Sequence, residues 1–205
     1  MKIFEDIHAE LIDSMGDDLR VANAARVSMG KWKDEFDGKD ERLLHYLSSH
    51  NHWTPFAHSV VSIRETVPIF VARQRFKHTI GFVYNEESRR YVDDDPTFYR
   101  PEVWRGRAEN VKQGSSDTVI DTLVFPVGED IVTMHIPSNY EGVMVNLLQF
   151  YRELIEGGVA PEQARMVLPQ SMMTSYIVTG SLYAWANAYR LRSDSHAQKE
   201  IRDLA

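Results

Sequence analysis

The residues with types and spacing suited to chemistry fall into three clusters, and arginine is common to two of them. The densest cluster is Arg73-Gln74-Arg75-Phe76-Lys77-His78-Thr79-Ile80-Gly81-Phe82-Val83-Tyr84-Asn85-Glu86-Glu87-Ser88-Arg89-Arg90-Tyr91. Guanidinium groups grip phosphate oxygens as a bidentate fork, so Arg73, Arg89 and Arg90, helped by the Lys77 ammonium, suit a phosphate. Asn85, Glu86 and Ser88 offer donors and acceptors for a sugar or a base edge. The plain alternative is a solvated charged surface, as most charge runs are.

A second cluster, His50-Asn51-His52-Trp53-Thr54-Pro55-Phe56-Ala57-His58, holds three histidines in nine residues. It lacks an HExxH pattern and a nearby carboxylate, so metal ligation is not expected, and His52 and Thr54 read as packing or ligand contacts. The third cluster joins Arg165 in Ala164-Arg165-Met166-Val167-Leu168-Pro169 to Asn187, Arg192 and Ser195-His196-Ala197-Gln198. Arg192 alone is explained equally well as a cation at a helix C-terminus.

The frame around these clusters is that of an ordinary globular protein. The chain has 205 residues, 43% hydrophobic and 26% charged, with 23 basic and 30 acidic side chains and a net charge of -7. An acidic balance argues against a nucleic-acid or anionic-membrane surface. There are no cysteines, which excludes a thiolate nucleophile, a Cys-ligated metal and CxxC redox chemistry. No run approaches the roughly 18 apolar residues of a membrane span. The N-terminal Met-Lys-Ile-Phe-Glu-Asp-Ile-His is broken by acids too early for a signal peptide, so a cytoplasmic location is expected.

Periodicity then places the clusters on elements. Residues 17–29 and 41–49 read as helices, and 59–67 as a strand with Val61, Ile63 and Val67 alternating against polar residues. Pro68 opens a basic helix ending near His78. Residues 138–156 read as a long amphipathic helix with a Ser138–Glu141 capping box, stopped by Gly157-Gly158, and Pro161 opens the next. Residues 175–179 suggest a short strand, with helices over 180–191 and 194–204. Between 102 and 137 two β-like runs, 118–124 and 131–136, suggest a hairpin insertion into a single domain spanning 1–205. The sum is an α/β protein of the α+β type, mixed helix and sheet without βαβ alternation. GxGxxG and GxxxxGK[ST] are absent, so a Rossmann or P-loop nucleotide site has no support.

Taken in order, the clusters resemble the flavin-dependent thymidylate synthases. The resemblance rests on Ala24-Ala25-Arg26-Val27-Ser28, His52-Trp53-Thr54-Pro55-Phe56, Pro68-Ile69-Phe70-Val71-Ala72-Arg73-Gln74, Asn85 to Tyr91, Ala164 to Pro169, and Leu191-Arg192 through Gln198. One departure stands out. The family signature reads Arg-His-Arg, seven residues, then Ser; here Lys77-His78-Thr79 is followed by eight residues before Ser88.

The resemblance implies methylation of dUMP to dTMP with bound FAD, methylenetetrahydrofolate as carbon donor and NADPH as reductant. It also implies a homotetramer whose active sites form where subunits meet. Carried over by position, Ser28, His52, Thr54, Lys77, His78, Thr79, Glu86, Ser181, Leu182, Tyr183 and Asn187 would contact FAD. Tyr183 stands where relatives commonly have Arg. Gln74, Arg75, Phe76, Lys77, Glu86, Glu87, Ser88, Arg89, Arg90, Arg165 and Arg192 would hold dUMP, with Arg192 stabilising negative charge on the uracil ring. A flavin route fits a chain without cysteine, because the cofactor rather than a protein thiolate carries the difficult step. Two other readings are a flavin- and pyrimidine-nucleotide-binding relative with altered chemistry, such as hydroxymethylation, and a non-catalytic nucleic-acid-binding module built on 73–107.

Overall fold

A computed structural model describes residues 2–109 and 114–205. The strand β1 (His8–Met15) leads into helix α1 (Asp18–Arg26), whose N-cap Asp17 accepts a hydrogen bond from the Arg20 amide at 2.8 Å. A 3-10 turn, Val27–Met29, extends α1 to the end of the expected helix. Helix α2 (Gly38–Ser49) starts three residues before the expected Glu41, because Asp37 and Asp40 cap each other's backbone. Asp40 is fully buried and also takes Arg26 and Lys33, which together with the Asp37 amide hold its carboxyl well below the usual carboxylate range.

After a 3-10 turn, Thr54–His58, comes β2 (Val60–Pro68), within one residue of the strand the alternation predicts. Helix α3 (Ile69–Arg75) is shorter than expected: Phe76, Lys77 and His78 continue only as single turns before Gly81 turns left-handed at φ 79°. A Cβ on Gly81 would lie 2.8 Å from that of Ala184, so the chain reverses tightly there. It enters β3 (Phe82–Glu86), a strand hidden in a segment that reads as polar loop.

The sheet closes late in the chain. β4 (Arg105–Arg107) and β5 (Ser115–Val119) form one ribbon, and β6 (Thr122–Val127) and β7 (Asp130–His135) form another with a turn at Gly128-Glu129. The expected hairpin is thus real but paired differently, since Thr118 and Val119 belong to β5. Helix α4 (Ile136–Glu156) follows directly. Its expected capping box does not form. The strand feeds the helix at His135, so Ser138 Oγ bonds the His135 ring at 2.9 Å while Glu141 pairs with Arg100 at 3.2 Å. A single turn α5 (Pro161–Ala164) precedes β8 (Met173–Ser181), nine residues rather than five.

Helix α6 (Leu182–Arg192) is capped by Ser181, whose Oγ accepts from the Ala184 amide at 3.2 Å. The last helix, α7 (Lys199–Leu204), starts five residues later than expected. Asp194 instead accepts from the His196 amide at 2.8 Å, and such a local turn competes with helix.

The central antiparallel sheet runs β1-β2-β8-β3. Tyr176, Val178 and Gly180 of β8, with Val67 and Phe82, face helices α3, α6 and α7 through Val71, Ala72, Ala184, Ala188 and Ile201. A Cβ on Gly180 would stand 2.3 Å from the Phe82 ring, so only glycine fits. Phe98, Met144, Leu148 and Met172 make a second cluster beneath α4. No helix among the described residues is long and apolar enough to cross a membrane, and no group of His, Asp or Glu among them is arranged to hold a metal ion.

Candidate functional site

Three cavities collect most of the residues singled out by sequence, and two of them lie on either side of α3. The first, of about 620 Å³, is walled by Arg73 of α3 and Phe76 just past its end, by Glu86 at the end of β3 with the following Glu87–Arg90, and by Arg165 with Met166 from the 3-10 turn Arg165–Val167; its floor is Met172 to Thr174 at the start of β8. The volume suits a nucleotide-sized ligand. β3–β8 pairing is what delivers Glu86 beside Thr174, whose hydroxyl donates to the Glu86 carboxylate at 2.8 Å.

Four guanidinium groups (Arg73, Arg89, Arg90, Arg165) here face two carboxylates, Glu86 and Glu87. Their own partners are weak. Arg89 donates to the Asp94 carbonyl and lies 3.9 Å from Glu87, leaving its buried Nε without a partner. Arg165 reaches only the Glu162 carbonyl, and Arg90 rests on Ser88 and the Tyr91 ring. An arginine-lined cleft with spare donors is made for an anion with several oxygens.

Arg75 departs from expectation. It is buried on the opposite, sheet-facing side of α3, where its Nε and Nη2 hold Glu65 of β2 at 2.9–3.1 Å. Its guanidinium also lies 4.7 Å from the Trp185 ring, and the Tyr176 hydroxyl completes Glu65. Burial and the neighbouring Glu65 carboxylate push the Tyr176 phenol far above its ordinary value. The Arg75 side chain is thus committed to Glu65 and the Trp185 face, and it lies outside the arginine-lined cleft.

The second cavity, of about 470 Å³, contains Gln74, Arg192, His196, Gln198, Lys199 and Arg105. Arg192, at the end of α6, donates from Nε to His78 Nε2 at 2.7 Å and from Nη2 to the Gln74 carbonyl at 3.2 Å. Burial, with Arg192 and Arg75 nearby, lowers the His78 pKa. The imidazole is therefore neutral and accepts at Nε2, which places its proton on Nδ1. Lys77 and Thr79 on either side of it are exposed.

The third cavity, of about 320 Å³, is apolar and aromatic: Leu47, His52, Trp53, Phe56, Leu182 and Tyr183 line it, with the Trp53 and Tyr183 rings 5.4 Å apart. Thr54 begins the adjoining 3-10 turn, and Asn187 is half-buried on α6. Two expected contacts are already occupied within the chain, as Ser181 caps α6 and Ser28 Oγ donates to the Ala25 carbonyl. The sequence reading missed Thr174, Met166, Glu200 and Arg105. Only the β3–β8 pairing brings Thr174 to the cleft, with no local signal to mark it, whereas Met166 is there as the chain neighbour of Arg165.

The fold and these cavities define an α/β protein with an arginine-lined cleft beside an aromatic cavity. Residues 10–205 match the family described as thymidylate synthase complementing protein. A flavin-dependent thymidylate synthase from Thermosipho africanus is 40% identical over 204 residues, covering 100% of this chain and 85% of the relative. One from Thermotoga neapolitana is 40% identical over 198 residues, covering 96% and 81%. Among solved structures, a UMP/dUMP methylase, PolB, from Streptomyces cacaoi bound with 5-Br dUMP superimposes with a TM-score of 0.78 at 29% identity, covering 100% of this chain and 89% of that one. The chain belongs to the flavin-dependent thymidylate synthase family.

Proposed function

We propose that this enzyme methylates dUMP to dTMP using methylenetetrahydrofolate as carbon donor, NADPH as reductant and bound FAD. The arginine cleft carries the reading: Arg89, Arg90 and Arg165 would hold the nucleotide phosphate, with Glu86, Glu87 and Ser88 set for the sugar. The third cavity fits part of a flavin nucleotide, since Trp53 and Tyr183 offer ring faces to a planar group and His52 a polar edge. His52, Thr54, Tyr183 and Asn187 would hold FAD there, with Lys77, His78, Thr79 and Glu86 contacting it from the other side; when bound, the flavin supplies the redox chemistry that the side chains lack. Arg192 would stabilise negative charge on the pyrimidine, and its bond to neutral His78 fixes its position without cancelling its charge.

Within one chain, Gln74 and Arg192 lie across α3 from the arginine cleft. The working site is accordingly assembled between copies, as a homotetramer would allow. Val27, Trp32, Ile80 and Met166, each at least 60% exposed, are available to be covered in that assembly. The ribbons between 102 and 137 would be an insertion into a single domain, and the enzyme would act in the cytoplasm without nucleic acid or membrane.

The test is product identity. With FAD, NADPH and methylenetetrahydrofolate supplied, dTMP should form from dUMP, and its absence would refute the proposal. The likeness to a UMP/dUMP methylase favours a second reading, in which UMP is also accepted. The same assay with UMP decides it.

A further inference from the structure

The second cavity holds a chain of hydrogen bonds with a fixed direction. Glu200 of α7 is buried and paired with Arg105 of β4 at 2.6 Å. Burial alone would raise its pKa, but the hydrogen bonds from Arg105, the helix backbone and Gln198 keep it below the ordinary value. An ionised carboxylate only accepts, so the Gln198 side chain must turn its NH2 toward Glu200, at 2.8 Å. That leaves the Gln198 carbonyl oxygen to face Gln74, whose NH2 donates to it. Gln198 stands at the N-cap of α7 yet makes no capping bond, so its side chain is spent on this relay. At the end of the relay the Gln74 amide keeps its carbonyl oxygen and one N–H, beside the Arg192 guanidinium that bonds its backbone carbonyl.

A free glutamine amide can flip and satisfy either order of donor and acceptor. One locked by a carboxylate cannot. Uracil and cytosine differ in this order: uracil presents a carbonyl at C4 beside an N3–H, and cytosine presents an amino group beside a bare N3. We propose that Glu200 and Gln198 are positioning residues that fix the orientation of the Gln74 amide and thereby make the site select a uracil over a cytosine nucleotide. The inference rests on the reading above that Arg192 meets the pyrimidine, and it assigns the Gln74 amide beside Arg192 to the same ring.

The test measures binding of dUMP and dCMP by calorimetry to the full chain supplemented with FAD, for wild type, Glu200→Gln and Gln198→Leu. Wild type should bind dUMP at least about tenfold tighter than dCMP, since a mismatched polar group is left unpaired. Both variants should shrink that ratio to within about threefold, because a freed amide serves either base. Gln198→Leu leaves the buried Glu200–Arg105 pair intact and decides the matter alone if Glu200→Gln fails to fold. A variant that weakens both nucleotides equally while keeping the ratio shows a merely structural role and overturns the inference. Wild type that binds dUMP and dCMP equally also overturns it while leaving the nucleotide site standing. Wild type that binds neither overturns the nucleotide reading together with it.

Discussion

Arg73 and Arg75 leave the same helix two residues apart. Arg75 turns into the sheet, where it donates to Glu65 and lies over the Trp185 ring, while the Tyr176 hydroxyl donates to the same carboxylate. Arg73 turns into a cleft with Arg89, Arg90 and Arg165, where donors outnumber acceptors and Arg89 keeps a buried Nε unpartnered. The residue type is the same on both sides. What differs is whether the neighbouring strand supplies a carboxylate: β2 places Glu65 under Arg75, whereas β8 places Thr174 on Glu86 and leaves the cleft cations in excess. A satisfied cation stabilises the fold, and an unsatisfied one awaits an anion.

The sharpest way to break this contrast is to remove the satisfied member. Arg75→Met strands the buried Glu65 carboxylate and should cost about 3–5 kcal/mol, read as a lower midpoint in urea unfolding. Little change in that midpoint would mean that Arg75 is dispensable to the core. On the other side, Arg89→Ala and Arg165→Ala should leave the unfolding midpoint nearly untouched. They should weaken dUMP binding by about tenfold to a hundredfold, the worth of a charged hydrogen bond. Because the cleft works through charge, wild-type dUMP affinity should also fall as salt rises. A large stability loss with unchanged affinity would reverse the two assignments. Tyr176→Phe removes one donor from Glu65 and should cost about 1–2 kcal/mol without altering affinity.

The smallest expected effect concerns pH. The folded-state pKa of His78 lies below its ordinary value, so the unfolded chain takes up its proton first. The stability that the neutral ring contributes through Arg192 is therefore complete above about pH 6.5, and declines as pH falls from there through the folded-state pKa. His78→Gln should flatten that part of the stability–pH curve. An identical curve in the variant would remove His78 from the account.

Much of this contrast cannot be read from sequence. Val61, Ile63 and Val67 announce β2 by alternation, and Leu19, Ala22, Ala25 and Met29 announce α1 by their three- and four-residue spacing, because each signal is local. β1 gives no such signal: it is an edge strand whose residues are all exposed, so nothing in His8–Met15 alternates with burial. β3 carries its alternation only in Phe82 and Tyr84, amid polar residues. The basic segment marks the region of the site, yet nothing local distinguishes Arg73 from Arg75. That distinction is made by Glu65 and Tyr176, which reach α3 only through the β2–β8 pairing. The relay to Gln74 is equally invisible, since Arg105 and Glu200 are 95 residues apart.

The central claim is that the cleft and the aromatic cavity serve one nucleotide and one flavin together. The most direct measurement is the visible absorption spectrum of the FAD-loaded protein titrated with dUMP. The account predicts a flavin band that shifts and saturates with dUMP, with the saturation point moved to higher concentration by Arg165→Ala. A protein that takes up no flavin, or a flavin band that ignores dUMP, would contradict it.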